Sequence, residues 1–294
     1  MDIFCHTQDD KEISWQLKLS IMQYDPIKRK LGAFFNQTPA FRKLFYRMLD
    51  LLLLRSWHIR KSLRQVEQES DGPLSVLDAG SGFGQYDYYM ASRHKNWHIK
   101  GVDVKPEQIA DCNAFFQRIG LENATFAEAD LTAFDEEGQY DLVLCVDVME
   151  HIEEDEKVLR NFYRALKKGG MLLISTPSDQ GGSDVHHHDH EGGGEHSFID
   201  EHVRDGYGIR EIADKMNRAG FSRTEVYYQY GPAGKLGWKL SMKYPIIMLN
   251  ASYLFFALLP FYYLLTFPFV LVLDYLDIKG RHNTGTGLIA KAWK

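Results

Sequence analysis

A glycine-rich turn between an apolar run and a helix-like segment constrains the fold of this chain most strongly. The apolar run covers Leu74 to Ala79, and Gly80, Gly82 and Gly84 follow it before a helical pattern from Tyr86 to Arg93. A strand that turns at glycines into a helix lets the backbone approach a ligand closely. The helix N-terminus offers unpaired N–H groups to a carboxylate or phosphate. The sequence therefore predicts a cofactor site at this turn.

The spacing of the glycines narrows the class of cofactor. A dinucleotide-binding turn has the pattern Gly-x-Gly-x-x-Gly, and its third glycine would fall at Gln85. Asp103 follows the next predicted strand, His98 to Val102. It lies about 20 residues beyond the glycines, where a carboxylate can accept hydrogen bonds from a ribose. An acid there can also cap the next helix, but the glycine turn upstream favours the ribose role.

Strand-like and helix-like segments alternate from Leu74 to Pro177, which predicts a parallel sheet with helical crossovers. The run from Tyr140 is apolar enough to be buried on both faces of the sheet. Further strands are predicted at Thr125 to Ala127, Tyr140 to Val146, Met171 to Thr176, Thr224 to Tyr230 and Gly287 to Trp293.

Several short motifs in a fixed order are more specific than any one of them. They are Val-Leu-Asp-Ala-Gly-Ser-Gly-Phe-Gly from Val76, Tyr-Asp-Leu-Val-Leu-Cys from Tyr140, Glu-His-Ile from Glu150, Leu-Lys-Lys-Gly-Gly from Leu166 and Leu-Leu-Ile-Ser-Thr-Pro from Leu172. This series resembles the class I S-adenosylmethionine-dependent methyltransferases, most of all their quinone-biosynthesis and small-molecule branch. The resemblance covers about residues 74–230 and the final strand.

The resemblance implies an α/β fold with a Rossmann-like seven-stranded sheet, mostly parallel with the last strand antiparallel. It implies a helical extension over residues 1–72 and a methyltransferase domain over 73–294, with an apolar helical insertion at 231–282. The implied cofactor is S-adenosyl-L-methionine, and Asp130 matches the position that contacts the adenine amino group. The implied cofactor-binding residues are Asp78, Gly80, Ser81, Gly82, Gly84, Asp103, Val104, Asp130, Leu131, Val146 and Asp147.

A hydroxyl or amine acceptor must lose a proton, and histidine titrates near neutral pH. The sequence does not choose among the candidate bases. His151 could instead cap or anchor its loop, and Arg204 could line the acceptor pocket or hold its segment to the domain. The candidates are His151, His190, His196 and His202.

A glycine- and histidine-rich loop covers residues 180–194. Its density of histidine and acid raises the question of a metal site. The spacing from His186 to His190 is one residue short of the HxHxDH motif of binuclear metallohydrolases, and methyl transfer to most acceptors needs no metal. We expect no bound metal and predict a mobile lid that closes over the acceptor.

The N-terminal extension is basic. Between Pro26 and Arg64, ten Lys or Arg stand against one acid, a net +9, although the whole chain carries -6. That total gives no reason to expect nucleic acid as a partner. Apolar residues at helical spacing (Phe41, Leu44, Phe45, Met48, Leu52) predict a helix, with Arg42, Lys43, Arg47 and Asp50 on its other side. The helix could lie on an anionic membrane or cap a substrate pocket, or pack on the domain with a solvated basic face.

About 50 residues separate the last two predicted strands, where the family usually has a short hairpin. The 28 residues from Ile246 to Leu273 carry no charge, more than the roughly 20 that one spanning helix needs. A single crossing would separate Gly287–Trp293 from its sheet, and Pro260 favours a break in the middle. We therefore predict two short helices in a shallow membrane hairpin over Tyr244 to Leu276. A cap over the acceptor pocket or a dimer interface is the alternative.

Three cysteines without a CxxC pair fit a reducing compartment, and the first ten residues lack the apolar core of a secretory signal. We expect a cytoplasmic protein associated with the cytoplasmic face of a membrane, with its oligomeric state open.

The predicted function is methyl transfer from S-adenosylmethionine to a small acceptor, hydrophobic or membrane-resident. The alternatives are an NAD-type Rossmann oxidoreductase and a non-catalytic membrane-docked module.

Overall fold

The computed structural model describes residues 38–70, 72–181, 203–252 and 254–294. A 3-10 turn covers Met149–His151, and a π-helical turn, Lys239–Lys243, joins two helices. The helices are α1 Pro39–Leu52, α2 Leu54–Glu69, α3 Gln85–Arg93, α4 Pro106–Arg118, α5 Asp155–Ala165, α6 Ile209–Ala219, α7 Pro232–Trp238, α8 Tyr244–Ala251 and α9 Phe255–Lys279. The strands are β1 Ser75–Ala79, β2 His98–Asp103, β3 Ala124–Glu128, β4 Tyr140–Val146, β5 Leu166–Pro177, β6 Arg223–Gln229 and β7 Gly287–Trp293.

The strands form one sheet in the order β3-β2-β1-β4-β5-β7-β6. Strands β1 to β5 run parallel to one another, whereas β7 lies antiparallel between β5 and β6. The predicted fold class is therefore confirmed. The strand order reverses between β1 and β4, and ligands of open parallel sheets bind at such a point, beyond the carboxyl ends of the strands.

Apolar side chains fill both faces of the central strands. Along β4, Leu142 and Leu144 pack in one core and Val143 and Cys145 in the other. Helices cover both cores, so the continuous apolar run of this strand is needed rather than an alternating pattern. Because β4 is packed on both faces, its position in the sheet is fixed, and so is the turn that follows it at the carboxyl edge.

Of the placements left open for α1, packing on the domain with a solvated basic face is wrong. Arg42 and Tyr46 are buried, whereas Phe41, Leu44 and Met48 are 39–48% exposed. Helical spacing identifies an apolar face but not the surface that the helix meets. Here that surface offers polar partners to Arg42, so the face that carries this arginine turns inward.

The insertion folds into an antiparallel hairpin, which we call the apolar hairpin (residues 232–279). One arm runs through α7, the π turn and α8, and α9 returns to β7 beside β6. The hydroxyls of Tyr262 and Tyr263 donate to the carbonyls of Leu240 and Ser241 at 2.7 and 2.8 Å across the arms. After the hairpin, β7 completes the sheet between β5 and β6, as predicted. Entry and exit of the hairpin on the same side of a membrane stays a prediction.

The predicted break at Pro260 is wrong, because α9 continues through both Pro260 and Pro268. The chain reverses at Ser252, whose backbone is extended (φ -164°, ψ 140°). The Ser252 hydroxyl accepts a hydrogen bond from the Leu254 N–H at 3.2 Å. A serine that bonds nearby backbone groups competes with the helix, and the chain therefore turns at Ser252. Helix α9 tolerates Pro260, although proline removes one backbone hydrogen-bond donor.

Candidate functional site

The glycine turn is tied to β2 by its backbone. Gly80 and Ser81 N–H donate to the Val102 carbonyl at 2.8 and 2.9 Å. A Cβ at Gly80 would lie 2.2 Å from a Val148 methyl, so this position requires glycine. At Gly82 (φ +54°) a Cβ would meet only Gln108, at 4.0 Å. The turn is therefore open at Gly82, where a cofactor needs close approach to the backbone.

Asp103 meets this turn from the end of β2. Its Oδ2 accepts a hydrogen bond from Gly82 N–H and its Oδ1 from Lys105 N–H, each at 3.0 Å. The N-cap of α4 is Lys105 and carries no side-chain cap, so the Asp103 carboxylate does not cap this helix; it holds the backbone of the turn before the helix and faces the glycine turn. Two oxygens offer about four acceptor sites, so capacity for ribose hydroxyls is left. The neighbouring Val104 is 44% exposed and offers an apolar surface beside the carboxylate.

Asp130 and Leu131 follow β3 at the same edge of the sheet. Asp130 is half-buried, and its Oδ1 accepts a hydrogen bond from Thr132 N–H at 2.8 Å. The Leu131 side chain packs in the core, and its carbonyl accepts a hydrogen bond from Asn161 at 2.8 Å. Leu131 can therefore offer a cofactor little more than its backbone N–H, and Asp130 stays the predicted adenine contact.

A buried carboxyl pair lies beneath the glycine turn. Asp78 is 2% exposed and Asp87, in the first turn of α3, is fully buried. Burial raises the pKa of Asp78 to about 7 and that of Asp87 well above its usual range. Among the described residues, no donor reaches Asp78 Oδ2 or either oxygen of Asp87. At neutral pH at least one of the two carboxyls therefore stays protonated, because both cannot ionise in this environment.

Helix α1 holds the glycine turn from outside. The buried guanidinium of Arg42 donates to the Phe83 carbonyl at 2.8 Å and to Asp111 Oδ2 at 2.5 Å. The Tyr46 hydroxyl donates to the same carbonyl. Gln85, the first residue of α3, donates to Asp50 Oδ1 at 2.8 Å. The N-terminal extension is thus part of the wall of the site, a role that its sequence pattern did not reveal.

The carboxyl ends of β4 and β6 carry two strained residues. Asp147 (φ 52°) and Tyr230 (φ 56°) are the non-glycine residues with positive φ in the described part of the chain. Arg55 of α2 links them, because its side chain pairs with Asp147 and its N–H donates to the Tyr230 hydroxyl at 3.0 Å. Strain of this kind costs about 1–3 kcal/mol and concentrates at functional sites. This linked set lies at the carboxyl edge of the sheet, beside the predicted cofactor positions Val146 and Asp147.

Glu150 and His151, the two polar residues of the Glu-His-Ile segment after β4, lie in different environments. Glu150 is 1% exposed, and its Oε2 accepts a hydrogen bond from the Thr176 hydroxyl at 3.0 Å. Burial raises the pKa of this carboxyl. His151 is exposed. The segment therefore turns a carboxyl group rather than an imidazole toward the interior.

Comparison with known proteins identifies the domain. Residues 70–206 match the family model of a methyltransferase domain. This segment is therefore a methyltransferase domain. The match favours the methyltransferase over the NAD-type oxidoreductase, in agreement with the missing third glycine.

Individual relatives cover only part of the chain. The (S)-coclaurine N-methyltransferase of Papaver somniferum is 25% identical over 156 residues, which are 53% of this chain and 41% of that protein. The ubiquinone biosynthesis O-methyltransferase of Rickettsia conorii is 26% identical over 103 residues, 35% of each protein. The chain thus spans well under half the length of these curated relatives. A solved phosphoethanolamine N-methyltransferase 2 of Haemonchus contortus has a TM-score of 0.54 at 20% identity, over 85% of this chain and 60% of that one. This last likeness shows the fold.

The positions predicted to bind S-adenosylmethionine lie along one edge of the methyltransferase sheet. The glycine turn, Asp103, Asp130 and the Val146–Asp147 turn follow β1, β2, β3 and β4 in that order. Their spread along the edge fits an extended cofactor, and their individual contacts stay predictions. Among the predicted bases, His190, His196 and His202 lie outside the described residues, as does most of the histidine-rich loop. Their roles, the lid and the expected absence of metal stay predictions.

Arg204 anchors its segment to the methyltransferase domain. Its guanidinium donates to Asp155 Oδ2 at 2.7 Å and to the Ile152 carbonyl at 2.9 Å. Asp155 also accepts hydrogen bonds from Tyr207 at 2.8 Å and from Lys215 at 2.6 Å. The pairing with a nearly buried carboxylate supports the anchoring role over a place in the acceptor pocket.

Sequence reasoning missed Arg42, Arg55, Glu150 and Tyr230. Arg42 and Tyr46 stand four residues apart on one helical face, which hints at a shared partner. Arg55 gives no such signal, because Asp147 is 92 residues away in the sequence.

Proposed function

We propose that this protein is an S-adenosylmethionine-dependent methyltransferase that acts on a small, hydrophobic or membrane-resident acceptor by in-line methyl transfer. Family membership and the open glycine turn beside Asp103 support the activity. The acceptor class rests on one observation, the contact between the root of the apolar hairpin and the Arg55–Asp147 side of the site. The relatives named above act on alkaloid, phosphoethanolamine and ubiquinone precursors according to their names, so their substrates alone do not choose among acceptors.

Backbone and carboxylate groups would hold the cofactor. The N–H groups of the open turn and the Asp103 carboxylate would bind and orient it, and Asp130 would face its adenine. S-adenosylmethionine supplies an activated methyl group, whose transfer requires alignment with the acceptor and exclusion of water. Arg42 and Tyr46 both donate hydrogen bonds to the Phe83 carbonyl. These bonds support cofactor binding because they fix the glycine turn.

Glu150 is the stronger base candidate among the described residues. A carboxyl whose pKa is raised by burial matches a proton-accepting role at neutral pH better than an exposed, solvated acid does. Arg55 and Asp147 would orient the acceptor beside it. His151 keeps an anchoring role in this proposal, in agreement with its exposure.

The root of the hairpin supports a hydrophobic acceptor. Asp277 near the end of α9 is fully buried, and its two oxygens accept hydrogen bonds from Gly234 and Tyr230 N–H at 3.1 and 3.2 Å. His58 Nε2 lies 2.9 Å from Asp277 Oδ2. Tyr230 in turn contacts Arg55. The apolar hairpin is thus rigidly joined to the acceptor side.

The exterior of the hairpin supports contact with a membrane. Leu254, Phe261, Leu264, Leu265 and Phe269 are each 66–75% exposed. Each forgoes roughly 1.5–3 kcal/mol that burial would supply. Helix α9 has a mean hydropathy of 2.1 in its most apolar window, of which 6% is buried. We propose that the hairpin dips into the cytoplasmic face of a membrane and returns, with the strand ends directed toward the lipid.

Calorimetry separates the proposed activity from its alternative. S-adenosylmethionine should bind the detergent-solubilised full-length protein with a one-to-one stoichiometry, and NAD should give no heat of binding. S-adenosylhomocysteine serves as a control, because it carries the same contacting groups without the methyl. Binding of NAD but not of S-adenosylmethionine would contradict the proposed function.

A further inference from the structure

Helix α1 exposes an apolar stripe on its outer face. Phe41, Leu44, Met48 and Leu51 are each 39–48% exposed. Their spacing of three, four and three residues places them on one face of the helix. Four large apolar side chains in a row form a patch that water solvates poorly.

The inner face of the same helix holds the cofactor turn. Arg42 and Tyr46 both donate to the carbonyl of Phe83, between Gly82 and Gly84. The Arg42 guanidinium also lies 4.4 Å from the centre of the Phe115 ring. Arg42 and Tyr46 are both buried against the domain. A movement of α1 away from the domain would therefore break their hydrogen bonds to the Phe83 carbonyl and leave the glycine turn unsupported.

Helix α2, which follows α1 directly, contacts the root of the apolar hairpin. Leu54, the first residue of α2, packs so closely on Gly234 that a Cβ there would lie 2.5 Å from a Leu54 methyl. Lys61 of α2 donates to the Ile278 carbonyl at 2.6 Å. The C-terminal end of α1 is therefore connected to the root of the hairpin through the start of α2.

The basic side chains on α1 favour an anionic membrane surface as the binding partner of the apolar stripe. Arg47 is exposed and Lys43 half-buried on the same helix, within the stretch that carries a net +9. A helix with apolar and basic side chains binds at the interface of an anionic bilayer. The lipid headgroups attract juxtamembrane basic residues by about 1 kcal/mol each.

We propose that α1 is an interfacial helix, and that its binding to an anionic bilayer seats it on the glycine turn and so raises the affinity for S-adenosylmethionine. This inference rests on the proposed function for its cofactor. Binding that favours the seated state raises affinity in proportion to the fraction that was unseated. A seated fraction of about 10–20% without lipid gives a five- to tenfold gain.

The test uses full-length protein with two kinds of vesicle, phosphatidylcholine alone and phosphatidylcholine mixed with phosphatidylglycerol. The affinity for S-adenosylmethionine is measured in each and in lipid-free micelles of a nonionic detergent. The variant Leu44→Glu/Met48→Glu adds two charges to the stripe and leaves Arg42 and Tyr46 intact. The matched control Thr125→Glu/Asn217→Glu adds two charges at exposed positions elsewhere.

We expect mixed vesicles to tighten binding by about five- to tenfold for the parent and the control. The stripe variant should keep the lipid-free affinity and lose the gain. An equal affinity with and without mixed vesicles for the parent, or a gain retained by the stripe variant, would overturn the inference. Failure to bind S-adenosylmethionine under every condition would instead refute the proposed function.

A fluorescent label at Met48→Cys distinguishes other occupants of the stripe. Its emission should shift to the blue on addition of mixed vesicles and should be quenched by iodide without them. A label already shielded in lipid-free protein would assign the stripe to another part of the chain or to a second copy, and would overturn the proposal.

Discussion

At the scale of single residues, the cofactor site depends on backbone positions as much as on side chains. Gly82 and Gly138 both have positive φ (+54° and +62°) and both leave room for a Cβ. Gly82→Val and Gly138→Val therefore carry similar backbone strain. Only Gly82→Val should abolish binding of S-adenosylmethionine, because only its side chain stands where the cofactor approaches. Asp103→Ala should weaken binding about 30- to 1000-fold, or 2–4 kcal/mol.

Calorimetry on the folded variants checks this prediction. Asp103→Ala also removes the acceptor for Gly82 and Lys105 N–H, so circular dichroism must first show native folding. Unchanged affinity in Gly82→Val and Asp103→Ala together would exclude this turn as the cofactor site.

The buried pair Asp78–Asp87 predicts an inverse dependence of stability on pH. The folded-state pKa of Asp78, about 7, lies above its ordinary value of 3.8. The folded chain therefore binds more protons than the unfolded chain between these values, and this contribution to stability falls as pH rises. Asp87→Asn keeps a donor for Asp78 and removes the competing charge. At pH 8 it should raise the free energy of unfolding by on the order of 1–4 kcal/mol.

Urea unfolding at pH 5 and pH 8 measures this effect. Exposed Asp135 provides the matched control, since Asp135→Asn removes one charge without a buried partner. A pH slope in Asp87→Asn equal to that of the parent would show that the pair does not share a proton.

At the scale of elements, the hairpin divides into a polar root and an apolar outer part. Gly234 and Gly237 allow Asp277 and Asp274 to approach, since a Cβ at either glycine would lie 2.5 Å from the facing carboxylate. Deletion of 245–272 keeps these root contacts if its Gly-Ser bridge spans about 20 Å, because Leu240 lies level with Tyr262 and residues 244 and 273 are therefore offset along the two arms. The truncated protein should leave the membrane fraction and bind S-adenosylmethionine within about threefold of the parent in detergent.

A substitution series controls for the deletion. Leu264→Gln/Leu265→Gln keeps the length of α9 and lowers only the apolarity of two exposed positions, so partial release from membranes is expected. A full-length protein that stays soluble and monomeric without detergent or lipid would rule out the membrane hairpin.

Elements also show where sequence reasoning succeeds and where it stops. The strands follow from local apolar runs and glycine turns, and β1 to β7 were predicted with ends within five residues of those observed; the antiparallel last strand was expected only from the family resemblance. The face of α1 was not, because Arg42 is buried by partners as distant as Asp111. The break at Pro260 failed because Ser252 offered a competing local turn. The ion pair between Arg55 and Asp147 could not be predicted, because only the folded chain brings these distant residues together.

At the scale of the whole molecule, three surfaces meet at the carboxyl edge of the sheet. In the proposed function the glycine turn and Asp103 face the cofactor, and Arg55 and Asp147 face the acceptor. The apolar hairpin extends from the same edge and is joined to it through Asp277 and Tyr230. This arrangement explains why a methyltransferase domain would carry a long apolar insertion before β7. It predicts that an acceptor dissolved in lipid reaches the site without leaving the bilayer surface.

Transfer of a labelled methyl group tests this account most directly. Full-length protein in vesicles that contain a membrane lipid extract is incubated with S-adenosylmethionine carrying a labelled methyl, and the products are partitioned between water and organic solvent. The account predicts label in the organic phase, lost when 245–272 are deleted. Label that appears only in water-soluble product, at equal rate with and without the hairpin, would contradict it.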